Sequence, residues 1–79
     1  MTLEELTRKG LSYREAQVAT AVIGQSNRAA ARELFVGEKT IKFHLTNIFK
    51  KLGVKNRWDL EQLLIKDRIN PKAQVNGLL

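Results

Sequence analysis

Residues Glu38–Leu52 read EKTIKFHLTNIFKKL, and the apolar side chains Ile41, Leu45, Ile48 and Leu52 recur at i, i+4, i+7 and i+11. That spacing lays them along one narrow stripe of an α-helix with a face against a core. The opposite side carries Lys39, Phe43, Thr46 and Lys50, flanked by Lys42 and Asn47. A rod of roughly 20 Å therefore presents cations, short hydrogen-bonding groups and one aromatic ring. Phe43 lies about 160° from the core stripe, so either another part of the chain covers it or a partner does. A thymine methyl in the major groove of DNA is an apolar contact of the right kind. His44 borders the core stripe. It is the only histidine and there is no cysteine, which leaves no metal-ligand set and predicts a boundary hydrogen bond, for instance to a phosphate.

With 79 residues and no cysteine, the chain reads as one small domain near the lower limit for a single core, a size that oligomerisation helps to stabilise. No apolar run approaches the ~20 residues of a membrane span, and MTLEELTRKG lacks the apolar stretch of a signal peptide. The expectation is a cytoplasmic protein without membrane contacts. The formal net charge is +6, and its distribution is uneven. Between Gln25 and Arg57 eight cations (Arg28, Arg32, Lys39, Lys42, Lys50, Lys51, Lys55, Arg57) face only Glu33 and Glu38, while the flanking segments are neutral. The whole excess thus surrounds the central helix, the electrostatic footprint of a polyanion-binding face.

Punctuation along the chain predicts an all-α fold. Thr2 and Glu5 have the form of a capping box, with Leu3 and Leu6 apolar and Gly10 as a stop, which suggests a short leading helix. Ser12 with Glu15 forms a second box before a helix over Tyr13–Ile23 that carries Ala16, Val18, Ala19 and Val22 and ends at Gly24. Ser26 caps Asn27–Leu34, NRAAAREL, whose alanines favour helix and close approach. Phe35-Val36-Gly37 is then a Gly-bearing link to the Glu38 helix, and helix, short turn, helix is the helix-turn-helix pattern. Glu38 suits the first turn of that helix electrostatically, or it pairs with Lys42 and partly neutralises it. Gly53 reads as a C′ glycine and Asn56 as the N-cap of a final helix of roughly ten residues. Leu60, Leu63 and Leu64 suit the core. Trp58, Glu61, Gln62 and Ile65 form a second stripe, which is either a twofold contact between identical helices or a place where Trp58 folds back over the domain edge. Past Arg68 the pattern fades and Pro71 breaks it, so NPKAQVNGLL reads as a tail. The organisation expected is a lead-in over 1–10, a helix-turn-helix domain over 11–68 and a tail over 69–79.

With Leu11, Ser12, Arg14, Glu15, Val18, Gly24, Ser26-Asn27, Ala31, Leu34, Thr40-Ile41-Lys42, His44, Asn47-Ile48, Lys51-Leu52-Gly53-Val54 and Asn56-Arg57 in place, the chain resembles the LuxR/FixJ/NarL-type helix-turn-helix domains from Leu11 to about Ile65. The resemblance implies a four-helix bundle, here with a short extra N-terminal helix, whose third helix enters the major groove and whose fourth mediates dimerisation. It makes Glu38–Leu52 the recognition helix and implies base contacts from Lys42, Phe43 and Thr46. The matching phosphate contacts lie among Asn27, Arg28, Lys39, Thr40, His44, Asn47, Lys50 and Lys51, and the dimer interface falls on Trp58, Glu61, Gln62 and Ile65. Three departures stand out. Gly37 takes the place of the usual Ser cap, Ala30 that of a larger aliphatic residue, and Phe43 and Thr46 differ from the smaller apolar or basic residues of many relatives. The operator therefore does not carry over from a relative. The chain is expected to be either a stand-alone, GerE-like member or an excised C-terminal domain.

The function expected is that of a bacterial sequence-specific DNA-binding transcription regulator, acting as a homodimer on two half-sites. Its partners are double-stranded DNA and, as a further one, RNA polymerase; no cofactor or small-molecule ligand is expected. The alternative is a truncated interaction module that heterodimerises with a full-length regulator through the Trp58 helix and antagonises it. A promoter-recognition module of the sigma-factor type is a third, less well matched by Lys-Leu-Gly-Val-Lys-Asn-Arg. An enzyme is not expected, since one histidine, no cysteine and no carboxylate cluster cannot assemble a nucleophile, a base and an oxyanion site.

Overall fold

Helix starts follow the caps that the sequence supplies. The Thr2 hydroxyl accepts from the Glu5 N–H at 3.1 Å while Glu5 Oε1 accepts from the Thr2 N–H at 2.8 Å. Ser12 and Glu15 make the same reciprocal pair at 3.1 and 2.9 Å. The Ser26 hydroxyl accepts from Ala29 at 3.0 Å, and Asn56 Oδ1 from Asp59 at 2.9 Å. These caps precede α1 (Leu3–Arg8), α2 (Tyr13–Ala21), α3 (Asn27–Leu34) and α5 (Arg57–Ile69), whereas α4 (Glu38–Leu52) starts from Gly37 without a side-chain cap, at a cost of a few tenths of a kcal/mol. The structure, a computed structural model, describes residues 1–69, with side chains through Ile65. It contains no strand among them. The tail expected over 69–79 lies outside the described residues, apart from Ile69 at the end of α5.

Three helix ends share one device. A residue with positive φ closes the helix, and the apolar residue after it sends its N–H back five positions: Leu11 to the Leu6 carbonyl at 3.2 Å, Val36 to Ala31 at 2.9 Å, Val54 to Phe49 at 3.0 Å. This is the Schellman closure, which satisfies a free carbonyl and tucks an apolar side chain under the helix. Leu11 is buried, and Val36 and Val54 pack against the core. Gly10 and Gly53 occupy two of the positive-φ positions, but the third is Phe35, at φ 59°.

Two boundaries differ from the sequence expectation. The helix expected to run to Ile23 stops at Ala21, with Val22 as its cap and a turn through Gly24 at φ 77°. In that turn the Ile23 N–H bonds the Thr20 carbonyl at 3.3 Å and the Gln25 N–H the Val22 carbonyl at 3.4 Å, and the Arg57 guanidinium also takes the Val22 carbonyl, at 2.7 Å, and the Gln25 carbonyl. The last helix spans thirteen residues instead of about ten.

Packing brings one stripe from each helix to a common centre. Leu6, Val18, Val22, Ile41, Ile48 and Leu60 are fully buried, with Leu45, Leu64 and Leu11 nearly so. Ala16, Ala19, Ala30 and Ala31 are buried between them, and their small size lets α2 and α3 approach α4 closely. Ala30, a departure from the family pattern, is fully enclosed.

Phe35 is 94% exposed, so its ring contributes no burial that offsets its left-handed backbone, which costs a non-glycine residue about 1–2 kcal/mol. Phe35→Gly is expected to raise the unfolding free energy by about 0.5–1 kcal/mol, the relief less the greater flexibility of glycine in the unfolded chain. Urea denaturation followed by circular dichroism measures it.

Candidate nucleic-acid interface

Burial of Ile41, Leu45 and Ile48, with Leu52 half-buried at the end of the stripe, fixes the rotation of α4 about its axis. Lys39, Thr40, Lys42, Phe43, Thr46 and Lys50 are consequently exposed, and His44 and Asn47 lie half-buried at the flanks. Phe43 is 64% exposed; its ring meets the His44 ring edge-on, 5.8 Å between centroids at 61°. Of the two readings open for Phe43, burial by the described part of its own chain is thereby excluded. Lys42 forms no ion pair with Glu38 or with any other described residue. The Thr46 hydroxyl donates to the Lys42 carbonyl at 3.1 Å, which leaves its oxygen as an outward acceptor.

The central cations divide into two groups. Lys51 Nζ donates to Glu15 Oε1 at 2.8 Å, so one of its three N–H donors is used inside the molecule. Arg57 is spent on the α2–α3 turn and on Glu61, 3.7 Å away. Arg28, Arg32, Lys39, Lys42, Lys50 and Lys55 make no ion pair among the described residues and are exposed. Lys39, Lys42 and Lys50 lie along α4 and Arg28 in the first turn of α3, while Arg32 lies in the last turn of α3 and Lys55 in the link between α4 and α5. Asn27, another expected phosphate contact, is half-buried at the start of α3 with Oδ1 accepting from Arg57 Nη1. Among the described residues no group of three His, Asp or Glu side chains could hold a metal, and no helix is long and apolar enough to cross a membrane.

On α5 the second stripe divides. Trp58, 65% exposed, and Gln62 face outward, and Trp58 does not fold back over the domain edge. Glu61 is held by Arg57, and Ile65 borders a small cavity with Met1, Thr20, Ile23 and Leu64 of its own chain. The Lys51–Glu15 pair and the contacts of Arg57 with Val22, Gln25 and Asn27 are not visible in the sequence. Their partners stand 36 and 30 to 35 residues apart, beyond any helical spacing. The exposed Phe35 was missed too, although its place just after Leu34, where a helix C′ position favours glycine, was a signal.

An outward basic face on a helix locked by its own core, after a short turn from an alanine-rich helix, defines a helix-turn-helix DNA-binding domain. Residues 9–64 match the model of the GerE family, bacterial regulatory proteins of the luxR family, and the chain belongs to that family of DNA-binding transcription regulators. The chain is 50% identical over 48 residues to the CsgBAC operon transcriptional regulatory protein of Escherichia coli (strain K12), covering 60% of this chain and 22% of that protein. It is 38% identical over 61 residues to the uncharacterized transcriptional regulatory protein YhcZ of Bacillus subtilis (strain 168), covering 76% and 28%. Oxygen regulatory protein NreC of Staphylococcus aureus (strain JH9) is 36% identical over 62 residues, covering 77% and 29%. The chain spans about a quarter of the length of these curated relatives. No solved structure gives a significant match.

Glu15 links the site to the fold. Burial works against its ionisation, but hydrogen bonds from Lys51 and from the Ser12 backbone and hydroxyl outweigh it, and its pKa lies below the ordinary glutamate value. A depressed folded-state pKa means that this stability is present above the unfolded value and is lost as pH falls through the folded one. The urea midpoint should therefore drop on acidification between about pH 5 and pH 3, and the drop should be smaller in Glu15→Gln. It does not vanish, because the Thr2 backbone N–H holds Glu5 low as well. An equal drop in both proteins would remove Glu15 as its source.

Proposed function

We propose that the chain is the DNA-reading unit of a sequence-specific transcription regulator that binds as a homodimer to an operator of two half-sites, with α4 in the major groove. The carrying observation is that one rigid helix buries Ile41, Leu45 and Ile48 and exposes Lys39, Lys42, Phe43, Thr46 and Lys50. Each group on the open face has a task that its chemistry fits. Lys42 donates to guanine O6 and N7, Phe43 meets a thymine methyl, and the Thr46 oxygen accepts from an exocyclic amine. Arg28, Lys39, Thr40, Asn47 and Lys50 donate to phosphates and set the register, with His44 and the remaining donors of Lys51 at the edge of the contact.

Dimerisation places two such helices on a twofold axis. Trp58 and Gln62 supply the outward surface, and a large exposed ring beside a polar residue suits the centre of a small isologous contact. The half-sites then lie about one helical turn apart, facing two successive major grooves. RNA polymerase is a second partner in this reading, met by a surface away from α4. The relatives, all named as transcriptional regulatory or oxygen regulatory proteins, support the regulatory role.

Lys42→Ala should cost about 1–3 kcal/mol of affinity for a selected duplex and less for random DNA, measured by fluorescence anisotropy on both. An unchanged ratio would make Lys42 a phosphate contact only. Trp58→Ala should shift the monomer–dimer equilibrium toward monomer in analytical ultracentrifugation, and an unaltered equilibrium would take Trp58 out of the interface.

A further inference from the structure

Arg57 belongs to the basic segment, yet its guanidinium is directed into the molecule. Nη2 donates to the carbonyls of Val22, at 2.7 Å, and Gln25; Nη1 donates to Asn27 Oδ1; Nε lies 3.7 Å from Glu61 Oε2. A planar fork of donors meets acceptors from the α2–α3 turn, from the first residue of α3 and from α5 itself. Such a fork dictates the orientation of Asn27. A guanidinium has no acceptor, so the amide oxygen must face Arg57 and the amide nitrogen must face away. Among the described residues, Asn27 Nδ2 has no acceptor, and the adjoining Arg28 is exposed and unpaired. The Ser26 hydroxyl, already accepting from the Ala29 N–H, caps the helix without help from Asn27.

We propose that Arg57 is a positioning residue for DNA binding: it touches no phosphate, but seats the start of α3 against α5 and turns the Asn27 amide nitrogen outward to donate to one. The role rests on the DNA-binding reading above and adds to it a division of labour among the cations. Arg28, Lys39, Lys42 and Lys50 act through their charge at the surface, and Arg57 acts through the geometry of a neutral neighbour. A lysine in its place keeps the charge, but a single ammonium cannot span the carbonyls of Val22 and Gln25 and the Asn27 amide in one plane. Arg57 also begins the helix that carries Trp58, so the same guanidinium ties the dimer-forming element to the phosphate-facing end of α3.

The test is fluorescence anisotropy with a fluorescein-labelled duplex of mixed sequence, across a salt series, for the wild-type chain, Asn27→Ala, Arg57→Lys, Arg57→Gln and the double variant of Asn27→Ala with Arg57→Lys. Circular dichroism checks that each is folded. Asn27→Ala should lower the association constant about tenfold, the worth of a hydrogen bond to a charged group. Arg57→Lys should lower it by a similar factor at unchanged net charge, and the double variant should bind no worse than Arg57→Lys alone. The slope of log affinity against log salt should stay the same in all of them, since no phosphate-neutralising cation is lost. Multiplying losses in the double variant would overturn the proposal, and so would a slope reduced by about one unit in Arg57→Gln. A measurement independent of the variants is the Asn27 side-chain amide resonance of the wild-type chain, which should shift on addition of duplex; an unmoved resonance contradicts the role. Wild-type protein that binds no duplex at low salt would overturn the DNA-binding reading itself, whereas binding with independent losses overturns only the role of Arg57.

Discussion

The face that α4 offers is decided by the face that it hides. Ile41, Leu45 and Ile48 are buried against the alanine-lined sides of α2 and α3, and each such side chain contributes about 1.5–3 kcal/mol relative to exposure. Rotating α4 by one residue, about 100°, would bring isoleucines into solvent and lysine ammonium groups into the core. No exposed contact is worth enough to offset that. Lys42, Phe43 and Thr46 are therefore held outward by hydrophobic burial on the far side of the same helix, and a ligand meets them already oriented. The small residues are part of the device, because buried alanines at positions 16, 19, 30 and 31 let the supporting helices lie close enough to hold a fifteen-residue rod at a fixed angle.

Charge completes what burial begins. A segment with an excess of six positive charges would repel itself if every cation were equivalent, and two of them are not. Lys51 crosses to Glu15 at the start of α2, and Arg57 crosses to the end of α2 and the start of α3. Both fasten elements distant in sequence, and both lie at the junction of α4 and α5. Arg28, Arg32, Lys39, Lys42, Lys50 and Lys55 stay at the surface, where cations can displace the counterions condensed on a polyanion. The same residue types thus serve as internal fasteners or remain free at the surface, where the proposed function uses them as ligand contacts, and only the position of a carboxylate, a carbonyl or an amide oxygen separates the two.

Much of this was legible in one dimension because it is local. Both capping boxes, the Ser26 and Asn56 caps, the bounds of α3 and α4 and the core stripe of α4 all follow from spacings of three to eleven residues, which a helix imposes directly. The turn after α2 was legible only in part: Gly24 marked it, but the Arg57 guanidinium that holds its Val22 and Gln25 carbonyls lies 35 and 32 residues away. Phe43 and Trp58 could be placed on faces from the sequence, but whether another segment would cover either ring depended on packing, and both proved exposed. Phe35 shows the converse. Its closure repeats a pattern visible at Gly10 and Gly53, and the residue type concealed it.

The most direct test of the central claim, that α4 reads DNA sequence in register with a twin on a twofold axis, is to select bound fragments from random genomic DNA over a range of salt concentrations and sequence them. One palindromic motif should emerge, with half-sites about a helical turn apart and affinity falling steeply as salt rises. Salt-sensitive binding with no recurring motif would contradict the claim. The basic face would then be a general polyanion surface, and the outward orientation of Lys42, Phe43 and Thr46 would carry no sequence information.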